Sequence, residues 1–382
     1  MTRSRAVLSA AVTVVAFTVA PTSLAAAAPT CQLQTATITS SGGTVTGTEG
    51  PDVIVATGTT DIHALGGDDT ICMQHGTVDA GAGDDAVYDA DLPGTNTDSF
   101  DLGPGYDYLD APMPPGSHVT ADGGNGQDHA GRGPADDDYV LISGLNDSED
   151  WVVDLAGSVT RGGVEIAALS GFGTFHIDFA SNTKVSVIGT DAPEYLLVAG
   201  GDLAVDMAGG RDQVSAGTGI ETIGQVAGGA GKDELTLNTY GAIDANLATG
   251  DLGKGLMGAG FEQYYFQARH IRVLGSAADE QMAFYAYHCD ARIKGGGGDD
   301  RIRNDQSVEK CRGRTVLTGG AGADVLKGNG RPESLLGGRG DDTLVGGGSD
   351  DVLVGGPGKD TANGGPGSDD VCRAEVERGC ER

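Results

Sequence analysis

Six consecutive nonapeptides run from Gly319 to Cys372: GGAGADVLK, GNGRPESLL, GGRGDDTLV, GGGSDDVLV, GGPGKDTAN and GGPGSDDVC. Their common form is G-G-x-G-x-D-x-U-x, where U is apolar. A strict nine-residue phase leaves few folds open, because each unit is too short to bury its own apolar residue and must stack on its neighbours. The strict hexad GGxGxD occurs seven times in the 382 residues, at Gly123, Gly228, Gly295, Gly319, Gly337, Gly355 and Gly364. Composition alone would produce about 0.2 copies. Looser copies, each with Gly at position four and Asp at position six, lie at Gly47–Asp52, Ala64–Asp69, Ala80–Asp85, Leu102–Asp107 and Met207–Asp212.

The hexad reads as a tight turn and the x-U-x as a strand of about three residues whose middle side chain points inward. The expected inward residues are Leu326, Leu335, Leu344, Leu353, Ala362 and Val371. Two nonapeptides complete one coil, so turns 18 residues apart share an edge. The Asp at position six adds a hard anionic oxygen to a turn rich in carbonyls, and calcium takes six to eight such oxygens. The 66 glycines are then turn positions, and the net charge of −31 selects a cation as partner. The same charge excludes nucleic acid and anionic membrane surfaces.

In this phase the chain resembles the RTX family of calcium-binding repeat proteins. The resemblance implies an all-β fold, a right-handed parallel β-roll or β-helix solenoid with several calcium ions held between turns one coil apart. Family positions carried onto this sequence place Asp324, Asp342 and Asp360 on one edge, with Glu333, Asp351 and Asp369 opposite. The turn glycines are Gly319, Gly320, Gly322, Gly337, Gly338, Gly340, Gly355, Gly356 and Gly358. Outside the array the matching aspartates are Asp300, Asp233, Asp212, Asp128, Asp85, Asp69 and Asp52. Glu333, Arg331 and Ser349 depart from the pattern on the second edge, so tighter calcium binding is expected on the first.

Residues 1–28 read as a secretory signal peptide: Arg3 and Arg5, the apolar Ala6–Ala20, then the small run Ala25–Ala28. The expected destination is extracellular, with no membrane span. Six cysteines in an oxidising compartment suggest three disulfides, for which we expect Cys31–Cys72, Cys289–Cys311 and Cys372–Cys380. Loose repeats are expected over 29–133 and the calcium-binding array over 291–372. Residues 373–382 are either a disulfide-closed cap or a tail. Between them, 134–290 reads as a degenerate solenoid with an internal duplication: Asp154-Leu155-Ala156-Gly157 corresponds to Asn246-Leu247-Ala248-Thr249-Gly250, and Glu194 to Glu280.

No His is followed by Glu in an H-E-x-x-H frame and no Ser sits in G-x-S-x-G. No enzyme is expected. The reading is a secreted calcium-binding protein in which binding is coupled to folding. Alternatives are a calcium-stiffened surface or matrix scaffold and a β-helical polysaccharide-active enzyme.

Overall fold

A computed structural model describes residues 28–89, 97–113, 117–124, 139–144, 149–179, 183–217, 223–305 and 314–381. The expected signal peptide, Asp128 and Cys311, with the pairing proposed for it, lie outside the described residues. Every element among the described residues is a strand. The chain winds into a parallel β-solenoid, as the nine-residue phase requires. In the array, Val325 pairs with Thr343 and Thr343 with Thr361, while Ser334 pairs with Val352 on the opposite side. Both offsets are 18 residues, two nonapeptides per coil.

Alternation in each short strand sends one side chain inward. Leu326, Leu335, Leu344, Leu353 and Ala362 are fully buried in columns one coil apart. Burying such a leucine contributes about 1.5–3 kcal/mol, so the columns are the main apolar support of the array. The sixth expected core residue is displaced by one. Leu353 pairs with Cys372, which is buried, while Val371 pairs with Val352 on the outer face. The turn from Gly364 to Asp370 holds one residue more than its predecessors, and the strand after it starts one position later.

The duplicated segments in the middle have one topology. Trp151–Asp154, Ser158–Arg161 and Val164–Ser170 form an antiparallel meander whose outer strands join the parallel stack. Ala242–Asn246, Asp251–Gly253 and Leu256–Ala259 repeat it. The corresponding segments found in the sequence are the hairpin turns of these excursions. The wider interior there is filled by aromatic rings, with Trp151 against Phe179 at a centroid distance of 4.8 Å.

At the ends, Cys31–Cys72 and Cys372–Cys380 form disulfides with Cα separations of 5.6 and 5.9 Å. Residues Val376–Arg378 pair with Thr361–Asn363, so the chain continues the coil past the last motif.

Some turns place a non-glycine residue at positive φ, among them those of Leu65, Ala208 and Ser349. Leu65 stands at position two of its hexad with φ +79° and its side chain 44% exposed. A left-handed conformation costs a non-glycine residue about 1–2 kcal/mol, against roughly 0.5–1 kcal/mol of extra chain entropy for glycine. Leu65→Gly should therefore raise stability by up to about 1 kcal/mol, seen as a rise of a few degrees in the thermal midpoint. A lower midpoint would refute the strain assignment.

Candidate metal centre

Each hexad places its sixth residue immediately before a strand, so register within the sheet aligns these residues in a row. Along the first edge the row begins Asp52, Asp69, Asp85, Asp107. The backbone N–H of Asp52 donates to Asp69 Oδ1 at 2.7 Å, and the amides of Asp69 and Asp85 donate to the next rungs at 2.8 Å. The row resumes with Glu194, Asp212, Asp233 and Glu262, joined by amide-to-carboxylate bonds of 2.9, 2.9 and 3.0 Å. It then runs through Glu280, Asp300, Asp324, Asp342 and Asp360, four bonds of 2.9 Å each. Glu375 closes it, accepting the Asp360 amide at 2.8 Å. Gly173 occupies the row where Thr174 pairs with Tyr195 and leaves a gap. On the second edge Asp98 is buried in an N-terminal coil and accepts the Gly76 amide at 2.7 Å, and in the last coils Glu333, Asp351, Asp370 and Glu381 form a continuous row of the same pattern.

One N–H does not satisfy a buried carboxylate, which offers about four acceptor positions. The second oxygen of Asp69, Asp85, Asp212, Asp233, Asp300, Asp324, Asp342, Asp351, Asp360 and Asp370 is buried and meets no donor. In the hexads that begin with glycine that residue lies against it, whereas Ala64, Ala80 and Met207 hold the first position at Asp69, Asp85 and Asp212. A Cβ on Gly337 would stand 2.3 Å from Asp342 Oδ2 and 2.7 Å from the Gly355 carbonyl. On Gly346 it would stand 2.4 Å from Asp351 Oδ2 and 2.8 Å from the Gly364 carbonyl. An unpaired carboxylate oxygen and the next coil's carbonyl oxygen thus converge on one glycine-lined cradle. Among the described residues no three His, Cys, Asp or Glu side chains cluster. Carboxylates in ones and twos completed by turn carbonyls are therefore the donor set, and a hard cation such as Ca²⁺ fits it.

The electrostatics agree. Burial disfavours the charged form and outweighs the amide bond at several rungs. It pushes the carboxyl of Asp300 up to about 8, those of Asp85, Asp212 and Asp351 up to about 7, and those of Asp69 and Asp342 up to about 6. Asp324 is raised by the same cause. A row of neighbouring acids with raised values and bare oxygens is short of positive charge.

Three rungs differ. Where position two is Ser or Thr, its hydroxyl donates to the sixth side chain: Thr48 to Asp52 at 2.9 Å, Thr190 to Glu194, and Ser276 to Glu280. Asp52 also accepts the Thr48 amide at 2.7 Å and the Thr37 hydroxyl at 2.9 Å. Burial raises its carboxyl value, but these donors prevail and hold it below the ordinary range. Glu333 is similarly served, by Asn304 Nδ2 at 3.0 Å and the Asn329 amide at 3.3 Å, although burial still pushes it up to about 7.

The structure brings Asp324, Asp342 and Asp360 into one row and Glu333 and Asp351 into the other. Asp300, Asp233, Asp212, Asp85, Asp69 and Asp52 join the first. Asp369 does not take the expected place: the buried rung is Asp370, and Asp369 is exposed. The cause is the extra residue in that turn, which makes the last step 19 residues instead of 18. Sequence reasoning did not place Glu262, Glu375 or Glu381 in the rows. For Glu262 the signal was an acid directly preceding an alternating apolar strand, independent of the glycines, whereas Glu375 and Glu381 precede no such strand. The expected turn glycines stand where coils approach most closely, and Gly338 shows why: its φ is +126° and a Cβ would lie 2.1 Å from the Gly320 carbonyl oxygen.

A family profile of the RTX calcium-binding nonapeptide repeat, in four copies, matches residues 312–330 and 336–371. The C-terminal coils are therefore RTX calcium-binding repeats in a β-roll. No curated protein matches the chain.

Proposed function

We propose that this protein is secreted and binds several calcium ions along the first edge of its solenoid, with binding coupled to folding of the coils. The observation that carries the reading is the row of buried carboxylates, in which Asp69, Asp85, Asp212, Asp233, Asp300, Asp324, Asp342 and Asp360 each have one oxygen bonded to a neighbouring coil and one oxygen bare. Without a cation, burying these charges side by side costs several kcal/mol per ion. Calcium offsets that cost and crosslinks adjacent coils, so its binding energy becomes folding energy. The row extends this reading beyond the profile-matched residues, to Asp300, Asp233, Asp212, Asp85 and Asp69. Two disulfides suit an oxidising compartment. The role is binding and not catalysis.

Metal-stripped protein titrated with calcium should gain β-signal in circular dichroism, with binding by calorimetry in the range of about 10⁻⁴–10⁻³ M typical of extracellular modules. No spectral change together with no heat would sink the proposal. Asp342→Ala should weaken the response more than Glu333→Ala. Asp342 has a bare oxygen, whereas both oxygens of Glu333 already accept hydrogen bonds. Equal effects would remove the distinction between the edges.

A further inference from the structure

The outer face of the sheet that follows the acidic row holds a cleft of about 330 Å³, clear of the calcium turns. Strand pairing builds it in two parallel lines. In one line Glu234, Gln263, Gln281, Arg301 and Val325 lie side by side. In the other, Tyr265, Ala283, Arg303 and Lys327 do so. Ala283 keeps the floor low between the tyrosine and the arginine. Adjacent lining residues are one strand spacing apart, about 4.8 Å, close to the length of a sugar ring.

The chemistry of the lining is polarised. In a chain with 55 acids and 24 bases, three cations gather at one end of this cleft. Arg303 is held by Asp305, Nη2 to Oδ2 at 2.7 Å. Arg301 and Lys327 are exposed and form no ion pair among the described residues. Toward the other end the Gln263 amide nitrogen is buried without an acceptor, and Glu234 offers acceptors only. A ligand that satisfies both ends presents a carboxylate to Arg301 and Lys327 and hydroxyl groups to Glu234 and the glutamines. Arginine pairs with carboxylates through two parallel bonds, and the Tyr265 ring offers an apolar face beside them.

We propose that this cleft binds an acidic oligosaccharide, a short chain of sugars bearing carboxylates, independently of the calcium edge. A uniformly anionic peptide fits less well, because it would set negative charge against Glu234.

The test uses the full-length, calcium-loaded protein in fixed excess calcium, titrated calorimetrically with trigalacturonate, maltotriose and hexaglutamate. Saturable binding of trigalacturonate is expected, at least tenfold tighter than of the other two. Arg301→Ala should weaken it at least tenfold with an unchanged circular dichroism spectrum. Gln281→Ala, whose side chain is also on the outer face, should weaken it severalfold. No saturable binding, equal binding by Arg301→Ala, or equal affinity for maltotriose would overturn the proposal. Tighter binding of hexaglutamate would overturn it in favour of a peptide. None of these outcomes depends on whether calcium binding drives folding, since that is read separately from the calcium titration.

Discussion

Stripped of divalent cations, the protein should be more stable at pH 5 than at pH 8, and saturating calcium should invert that order. The sign follows from the raised rungs. Asp300 titrates near 8 in the folded chain, Asp85, Asp212 and Asp351 near 7, and Asp69 and Asp342 near 6, because burial disfavours their charge. Unfolded, each titrates near the ordinary value of about 4. Between these limits the folded chain holds more protons than the unfolded one, so stability falls as pH rises. The contribution is complete below about pH 4 and is lost progressively above it, the loss ending rung by rung as pH passes the folded values from about 6 to about 8. Several rungs act together, so a drop in thermal midpoint on the order of 10 °C from pH 5 to pH 8 is expected. Calcium requires the ionised carboxylates, and its affinity rises over the same window. Thermal unfolding at the two pH values, with chelator and with millimolar calcium, gives four midpoints. A stripped protein that gains stability from pH 5 to pH 8 would contradict the buried-row interpretation.

A single methyl group on Gly338 should unfold the C-terminal array, whereas the same change at Gly330 should leave it intact. At Gly338 the backbone has φ +126° and the added carbon would lie 2.1 Å from a carbonyl oxygen of the preceding coil. Neither partner is a flexible side chain that could move aside. The cost combines a conformation closed to alanine with a backbone clash, roughly 4 kcal/mol or more. At Gly330 nothing lies within 4 Å of the same carbon and φ is ordinary, so the change should stay within about 0.5 kcal/mol. Solenoid coils depend chiefly on their neighbours, so the damage should be local. Amide hydrogen exchange over residues 319–363 in calcium should show lost protection for Gly338→Ala and native protection for Gly330→Ala. Native protection in both would mean that coil spacing is softer than the structure indicates.

Much of the array was legible because its chemistry and its geometry share one period. Nine residues specify turn, ligand and inward side chain together, so Leu326, Leu344, Asp324 and Asp342 could be placed by counting. Counting fails where a turn changes length. The pair Asp369-Asp370 offers two acids for one rung, and only the pairing of Leu353 with Cys372 decides between them. It fails again where a coil takes an excursion. Asp233 and Glu262 are adjacent rungs 29 residues apart, because the meander from Ala242 to Ala259 intervenes. The internal likeness of the two meanders was visible, but not that its conserved-looking stretches were hairpin turns. The polarised cleft was invisible for a related reason. Its residues come from strands with no common motif, and only sheet register brings Gln263, Gln281 and Arg301 side by side.

The amide-to-carboxylate ladder also has a direction. Wherever two rungs are joined, the N–H belongs to the earlier one and the carboxylate to the coil that follows it in sequence, as from Asp52 to Asp69 and from Asp360 to Glu375. A coil is therefore completed only by chain that is made after it. During synthesis the growing end always presents an amide still awaiting its partner, and the N-terminal coils can lock one after another behind it. Near the C-terminal end the longer side chains of Glu375 and Glu381 reach back to the amides of Asp360 and Asp370. The ladder is thus a one-way ratchet, each tooth set by chain that comes later.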